Sequence, residues 1–249
     1  FAVGAAIAAK FLAAHTGNPT FDKETIYAYI SDGGIQEEIS QGAARIASVL
    51  GLDNLIMFYD CNDIQLSTET KEVMNEDTAA KYRALGWEVF EINGNDVDQI
   101  REALDKAKKV EGKPTLIIGK CIMGKGALKA DGSSYEANCK THGAPLGGDA
   151  FVNTIKHLGG DPENPFQIFP EVKELYAKRA EELKAICAER YAEEKAWADA
   201  NPEKAAQQAD WFSGKAPKID WSKCVQKDND ATRSASAACL SVLAQQVPN

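Results

Sequence analysis

The sequence predicts an α/β domain with a central parallel sheet flanked by helices, followed by a helical linker. Short runs rich in β-branched and aromatic residues alternate with helical patterns along residues 1–120. One stretch shows this order most clearly: an apolar run at 26–30 ends in Asp32-Gly33, a helical pattern covers 35–50, and a second apolar run covers 55–59. Strand, glycine turn, helix and strand in this order form one βαβ unit of a parallel sheet.

The remaining elements of the domain follow from composition and periodicity. An alanine-rich segment predicts a first helix, and apolar runs of five or six residues predict two more strands after the βαβ unit. A polar stretch with several glycines predicts a long loop, which is functional or disordered, before the last helix of the domain. In chain order these are a helix at 1–15, a loop at 67–75, a helix at 76–85, a strand at 88–92, a helix at 96–109, a strand at 114–119, a loop at 120–146 and a helix at 148–158.

The last third of the chain is predicted to be helical. An apolar stripe with charged residues between its members predicts a long amphipathic helix at 170–200, and shorter helices are expected at 202–212 and 231–247. The composition of residues 215–230 indicates a domain boundary. We therefore expect an α/β domain over 1–160, a helical linker over 161–230 and the start of another domain over 231–249.

Charge and composition exclude several classes of partner. The net charge of −9 argues against nucleic acid or an anionic membrane as a partner, and the chain has no apolar run long enough to span a bilayer. The six cysteines are scattered without a CxxC pair, which is typical of reduced thiols in a cytoplasmic protein. A phosphorylated small molecule stays possible, because a local site can be positive on an acidic protein.

Two polar residues follow neighbouring strands of the predicted sheet. Asp32 and Asn62 each come directly after a strand, and ligands of parallel sheets bind beyond the carboxyl ends of strands. Their oxygens, with a backbone carbonyl near Ile64, suit Mg²⁺, and Gly33 allows a close backbone approach to a phosphate. The residues alone leave a second interpretation open, in which Asp32 is a helix N-cap and Asn62 a turn residue.

These residues carry a resemblance to a known family. Asp32-Gly33 followed thirty residues later by Asn62 is similar to the thiamine diphosphate signature, GDG followed by N. The strings SDGGIQEEIS, NLIMFYDCNDIQLS, ALGWEVFEI and HGAPLG resemble transketolases specifically, in colinear order over nearly the whole chain. Ser31 stands where the signature has its first glycine. We expect its side chain either to crowd the cofactor's diphosphate or to donate a hydrogen bond to it.

The resemblance implies a function and a set of site residues. It implies transfer of a two-carbon ketol unit between sugar phosphates of the pentose phosphate pathway by a homodimer that uses thiamine diphosphate and Mg²⁺, or Ca²⁺ as a substitute. It assigns Asp32, Asn62 and the Ile64 carbonyl to the metal, and Gly33, Asn62 and His142 to the diphosphate. His142, which is also expected to act in catalysis, and Arg233 would bind the sugar phosphate.

Two alternatives stay open. A deoxyxylulose phosphate synthase shares the cofactor signature, although QEEIS and HGAPLG favour a transketolase. A non-catalytic cofactor-binding fragment is the other, because the chain opens inside a helix and resembles only the beginning of the family's pyrimidine-binding domain. We therefore expect residues 1–249 alone not to catalyse ketol transfer. Glu37 matches a glutamate of the family's subunit interface, so a structural role is expected for it.

Overall fold

Four strands form a parallel sheet in the computed structural model of the chain, which describes residues 1–247. The order across the sheet differs from the order along the chain, since the fourth strand lies between the second and the third. The predicted fold class is confirmed, and each predicted strand agrees with an observed one to within two residues at either end. The strands are β1 (Ile26–Ser31), β2 (Leu55–Cys61), β3 (Glu88–Asn93) and β4 (Thr115–Lys120).

Helices connect the strands and continue after them. They differ from the predicted helices in two places. A short helix that was not predicted follows the first helix, and the helical pattern predicted over 35–50 is divided between two helices. Among the helices of residues 1–247, none is both long and apolar enough to cross a bilayer. They are α1 (Ala2–Thr16), α2 (Pro19–Asp22), α3 (Asp32–Gln36), α4 (Glu38–Val49), α5 (Thr78–Ala84), α6 (Val97–Ala107), α7 (Gly148–His157), α8 (Pro170–Ala200), α9 (Pro202–Phe212) and α10 (Thr232–Gln246).

The sheet buries side chains on both of its faces. Successive residues of a strand point to opposite faces, so Leu55 packs with residues of α1, α4 and α5, whereas Ile56 packs with Ala103 and Ala107 of α6. Leu55 and Ile56 are each 1% exposed. Burial of a side chain of this size stabilises the fold by about 1.5–3 kcal/mol. The helices on the two faces therefore hold the strand ends in fixed positions.

The helical pattern predicted over 35–50 is broken, so the prediction of one continuous helix was wrong. Helix α3 ends at Gln36, and Glu37 is extended with a ψ of 132° before α4 begins. Side chains of α4 stabilise the break, because the Ser40 hydroxyl donates to the Gly34 carbonyl at 2.8 Å and the Gln41 amide donates to the Ile35 carbonyl. The carbonyl groups at the end of α3 thereby find partners outside their own helix.

Part of the apolar surface of the first β-strand and of α4 is exposed. Helix α4 buries Gln41, Ala44 and Ala47, whereas Ile39 and Val49 are 81% and 85% exposed. On β1, alternate residues point away from the main core, and large side chains among them are exposed. The apolar residues whose spacing predicts this helix are therefore not the ones that face the core of the described chain.

By the contacts within the described chain, there are two compact units, of which the first is Phe1–Lys195 and the second begins at Ala196. The first unit contains the whole sheet. Within the second, the backbone N–H of Asp220 donates to the side chain of Gln246 in α10. The division into 1–160, 161–230 and 231–249 stays a prediction.

Candidate functional site

The carboxyl ends of β1 and β2 lie side by side, as predicted. In the parallel register Ser31 of β1 is opposite Asp60 of β2, so the residues that follow the two strands meet at one edge. The Asp32 Oδ2 atom accepts a hydrogen bond from the backbone N–H of Asn62 at 3.0 Å. The sheet thus brings together two of the predicted ligand residues although thirty positions separate them.

Asp32 is a buried carboxylate and not a helix cap. It is 1% exposed, and its Oδ1 atom accepts a hydrogen bond from the Tyr59 hydroxyl at 2.7 Å. Burial, together with the hydrogen bond to Asp32, raises the pKa of Tyr59 far above its usual value, so the hydroxyl stays a donor. The N-cap of α3 is Ser31 instead, whose Oγ atom accepts from the Gly34 N–H at 3.3 Å. Hydrogen bonds from two donors therefore hold the buried Asp32 carboxylate in one position.

Asn62 and Ile64 are connected by a tight turn. The Asn62 Oδ1 atom accepts a hydrogen bond from the Ile64 N–H at 3.1 Å. Between them Asp63 has a left-handed backbone with a φ of 65°, a conformation that Asp tolerates better than most residues. An amide oxygen has two lone pairs, so the Asn62 oxygen can accept this bond and still bind a cation. Asp32, Asn62 and Ile64 therefore form one cluster.

A charged pair that the sequence did not indicate borders this cluster. Lys120 at the end of β4 contacts the Asp63 carboxylate. Burial of Lys120 alone would lower its pKa, but the hydrogen bond to Asp63 and nearby negative charges outweigh it, and the pKa is raised. The register places Lys120 opposite Cys61. Only the strand order, in which β4 lies beside β2, could have revealed this pair.

The oxygens near Asp32 suit a hard cation better than a soft one. One ligand atom each of Asp32, Cys61 and Asp63 lies within 4.8 Å of the others. Burial raises the pKa of the Cys61 thiol, which disfavours the thiolate that a soft metal needs. Mg²⁺ takes carboxylate, amide and carbonyl oxygens. The donor set therefore fits a hard cation bound by oxygen.

Gly33 offers open space where other residues would have a side chain. A Cβ atom at Gly33 would meet no atom of the described chain within 4 Å. Its backbone lies in the first turn of α3 and does not have a positive φ, so the fold itself does not require glycine there. At Gly34, in contrast, a Cβ would lie 3.0 Å from the side chain of Ile30. The missing side chain at Gly33 fits the close approach of a ligand.

Two clefts open at this edge of the sheet. One has a volume of about 470 Å³ and is lined by Asp32, Tyr59 and Asp63 among others. The second has a volume of about 740 Å³, and its lining includes Asn62, Asp63, Ile64 and Lys120. Asp63 therefore lines both clefts, so a ligand in either cleft would lie beside the cluster.

The other two predicted site residues, His142 and Arg233, are distant from this cluster in the sequence. His142 ends the short 3-10 turn Cys139–Thr141, and its buried Nδ1 atom has no hydrogen-bond partner within residues 1–247. It lines neither of the two clefts. Arg233 lies in the first turn of α10, in the second unit, and is exposed. Their assignments to diphosphate and sugar phosphate stay predictions.

Comparison with known proteins identifies relatives over almost the whole chain. A family model described as "Transketolase, thiamine diphosphate binding domain" matches residues 1–217. A probable transketolase of Streptococcus pneumoniae is 34% identical over 99% of the chain, and the chloroplastic transketolase-1 of Arabidopsis thaliana is 35% identical over the same share. The chain spans 38% and 34% of the lengths of these two relatives.

Solved structures show the same similarity. Transketolase from Leishmania mexicana superposes with a TM-score of 0.84 at 31% identity, over 99% of this chain and 37% of that one. A complex of transketolase from Pichia stipitis with sedoheptulose-7-phosphate gives a TM-score of 0.85, also at 31% identity and with the same coverage. At this identity the likeness extends from the sequence to the fold.

Proposed function

The chain belongs to the transketolase family, and from this premise we propose that its protein transfers a two-carbon ketol unit between sugar phosphates with thiamine diphosphate and Mg²⁺. The observation that carries the proposal is the cluster at the sheet edge. It combines a buried carboxylate, Asp32, with an amide oxygen, Asn62, and an adjacent glycine, Gly33, whose missing side chain the fold does not require. Family membership alone would not place a metal there.

In this proposal Asp32, Asn62 and the Ile64 carbonyl hold the metal. Their oxygen atoms suit the cation's hardness, and Asp32 supplies a negative charge in a buried position. Tyr59 and the Asn62 N–H fix the carboxylate by hydrogen bonds to its two oxygens. Fixed ligands of this kind lower the cost of ordering the site when the cation arrives. Ca²⁺ takes the same oxygen ligands and is expected to substitute.

Gly33, Asn62 and His142 are proposed to bind the diphosphate. The open space at Gly33 lets phosphate oxygens approach the backbone. The unpartnered Nδ1 of His142 would gain a hydrogen-bond partner in a phosphate or substrate oxygen. Lys120 beside Asp63 offsets the negative charge that Asp63 adds next to an anionic ligand.

Substrate chemistry is proposed for His142 and Arg233. When bound, thiamine diphosphate supplies the carbanion chemistry that ketol transfer requires. His142 would donate a hydrogen bond to an oxygen of the sugar, which makes it the catalytic residue of this set. Arg233 is exposed and carries a planar guanidinium that suits a bidentate contact with the phosphate of the sugar.

The proposal includes a homodimer in the cytoplasm that acts in the pentose phosphate pathway. Exposed apolar side chains on β1 and α4, with Tyr29 at 74% and Ile39 at 81%, support association with a second copy. All six cysteines are free, which supports a reducing compartment. Glu37, the exposed N-cap of α4, is assigned to the same interface.

Thermal unfolding of residues 1–249 tests the cofactor site without requiring turnover. We expect the midpoint to rise when Mg²⁺ and thiamine diphosphate are added together, and to rise little with either one alone, because ligand binding stabilises the folded state by mass action. Asp32→Asn should abolish the joint effect. Asp96→Asn is the matched control, since Asp96 is a partly exposed N-cap of α6 outside the site. Stabilisation of the Asp32→Asn variant equal to that of the unaltered chain would refute the assignment.

A further inference from the structure

Two cysteines that are distant in the sequence lie in contact in the second unit. Cys224 follows the short 3-10 turn Trp221–Lys223, and Cys239 lies in α10. Their Sγ atoms are 3.6 Å apart although fifteen positions separate them, and either thiol can donate a hydrogen bond to the other. The spacing of the cysteines in the sequence does not indicate this pair.

Hydrogen bonds on both sides hold the two sulfur atoms together. The N–H of Asp220 donates to Gln246 Oε1 at 2.8 Å, and Gln246 Nε2 donates to the Asp220 carbonyl at 3.2 Å. These bonds tie the turn before Cys224 to α10, which carries Cys239. The amide of Gln226 lies 3.9 Å from one sulfur and 3.5 Å from the other. The contact is therefore supported by the side chains of Gln246 and Gln226 and by the backbone of Asp220.

We propose that Cys224 and Cys239 form a reversible redox site, at which a low-molecular-weight disulfide such as oxidised glutathione converts the two thiols into an intrachain disulfide. The thiolate of one cysteine attacks the glutathione disulfide and displaces one glutathione thiolate. The thiolate of the second cysteine then attacks the mixed disulfide and displaces the other. Two thiols are oxidised and one glutathione disulfide is reduced to two glutathione thiols, which receive the two protons.

The geometry favours the intrachain product over other products. The two sulfurs need to approach by roughly 1.5 Å to reach bonding distance, a change that side-chain rotations can supply. Both cysteines are only partly buried, so a small disulfide can reach them. Contact with Cys239 is the largest cause that raises the pKa of the Cys224 thiol, which keeps its proton at neutral pH. Attack on glutathione disulfide therefore proceeds from the small thiolate fraction at neutral pH, which makes the oxidation slow but leaves its product unchanged.

Ring closure would restrict the chain between the two cysteines. The ring contains Arg233, so oxidation would also restrict the residue that the proposed function assigns to the sugar phosphate. This effect on Arg233 is the only part of the inference that rests on the proposed function. Whether or not that assignment holds, Lys227 and Arg233 are cleavage sites for trypsin inside the ring. Oxidation should slow cleavage at both sites in the native chain severalfold. A protease binds a segment that has opened locally, and the disulfide would restrict that opening.

Peptide mapping tests the site directly. The chain is equilibrated with a glutathione redox buffer, free thiols are blocked by alkylation, and the product is unfolded and digested with trypsin. We expect residues 224–227 linked to residues 234–249, in roughly tenfold excess over mixed disulfides of either peptide with glutathione, because an intramolecular thiol has an effective concentration of millimolar or more. Reduction with dithiothreitol should return both peptides to the thiol form.

Two variants separate this pair from the other cysteines. Cys187→Ser removes an exposed thiol of α8 and should leave the linked peptides unchanged. Cys239→Ser should instead leave Cys224 with bound glutathione. The mapping of the unaltered chain needs no variant, so a folding defect in either one would not affect the conclusion. Mixed disulfides at both cysteines without the linked peptides, or equal rates of native cleavage before and after oxidation, would overturn the proposal.

Discussion

The two parts of the proposed cofactor site differ in how far the chain itself holds them in place. At the sheet edge, Asp32 is 1% exposed, and hydrogen bonds from Tyr59 and Asn62 occupy both of its oxygens. His142 follows a short turn in a long loop, and its buried Nδ1 atom has no partner within residues 1–247. The first part is ordered before a ligand arrives. The second has an unused polar atom that a ligand would satisfy.

This difference follows from where each part lies in the fold. Strands β1 and β2 are fixed by their ladder and by side chains packed on both faces of the sheet, so residues that follow them inherit fixed positions. A loop residue lacks such neighbours. A buried polar atom without a partner costs about 1–3 kcal/mol, and a bound phosphate would remove that cost. Substitutions at the sheet edge should therefore lower the free energy of unfolding, whereas substitutions in the loop should mainly weaken ligand binding.

Replacement of Asp32 by Ala is expected to have the largest effect. The change leaves the Tyr59 hydroxyl and the Asn62 N–H without their acceptor in a buried place, at a cost of roughly 2–6 kcal/mol for the two donors. Binding of Mg²⁺ together with thiamine diphosphate should be lost as well. Urea denaturation measures the free energy of unfolding.

Asp96→Ala is the control for this substitution. Asp96 is the partly exposed N-cap of α6, where it accepts hydrogen bonds from the N–H groups of Asp98 and Gln99. Loss of such a cap costs about 1 kcal/mol. Equal losses of stability in the two variants would contradict the view that the Asp32 carboxylate organises the sheet edge.

Two buried tyrosines allow a sharper comparison of hydroxyl groups. The Tyr59 hydroxyl donates to Asp32, whereas the Tyr82 hydroxyl is buried without a hydrogen-bond partner within residues 1–247. Burial raises the pKa of Tyr82 to about 12, and burial with the bond to Asp32 raises that of Tyr59 as well, so both are neutral near pH 7.

Tyr59→Phe should therefore lower the free energy of unfolding by about 1.5–3 kcal/mol, the usual value for a hydrogen bond to a charged group. Tyr82→Phe should leave it unchanged or raise it slightly, because no bond is lost. The measurement is denaturant unfolding of both variants at pH 7. A Tyr82→Phe variant as unstable as Tyr59→Phe would show that the effect comes from packing and not from the bond to Asp32.

The sequence predicts the sheet and its edge well because short-range patterns determine them. Each strand is a run of apolar residues between turn signals, and the two residues after β1 and β2 follow from the βαβ geometry alone. The helix break at Glu37 was not predicted. It depends on hydrogen bonds from Ser40 and Gln41 to α3, and these require the fold.

Contacts that depend on the order of the strands in the sheet could not be predicted from the sequence either. Tyr59 resembles any core aromatic residue, and only the structure shows that its hydroxyl contacts Asp32. Lys120 meets Asp63 because β4 lies beside β2 and not beside β1. His142 and Arg233 were assigned by resemblance alone, since an isolated loop histidine or a surface arginine has no pattern of its own.

His142→Ala should weaken binding more than it affects stability. The Nδ1 atom makes no hydrogen bond within the described chain, so no bond is lost and the free energy of unfolding should fall by no more than about 0.5 kcal/mol. If His142 donates to a phosphate oxygen, the affinity for thiamine diphosphate with Mg²⁺ should fall roughly tenfold, as expected for a hydrogen bond to a charged group. Titration calorimetry measures this affinity.

His157→Ala is the matched control, because His157 lies exposed at the end of α7. It should change neither quantity. Retained affinity in the His142→Ala variant would remove His142 from the diphosphate site and leave only the sheet edge.

The smallest effect is expected at Ser31, which tests whether the sheet edge tolerates its departure from the family signature. Its Oγ atom accepts a hydrogen bond from the Gly34 N–H, so its own hydrogen remains available for a phosphate oxygen. Ser31→Gly should cost only a few tenths of a kcal/mol in stability. If the hydroxyl donates to the diphosphate, affinity should fall by about 1 kcal/mol, or roughly fivefold.

Ser31→Ala separates the two expectations for this position, because it keeps the Cβ atom and removes the hydroxyl. A donating hydroxyl predicts weaker binding of thiamine diphosphate in both variants. A crowding Cβ predicts tighter binding in Ser31→Gly and no gain in Ser31→Ala. Titration calorimetry of both variants decides between these outcomes, since the loss of the cap in Ser31→Ala, about 1 kcal/mol, is measured separately by unfolding. We expect the hydroxyl to donate, because Ser31 is exposed at the start of α3 beside the open space at Gly33.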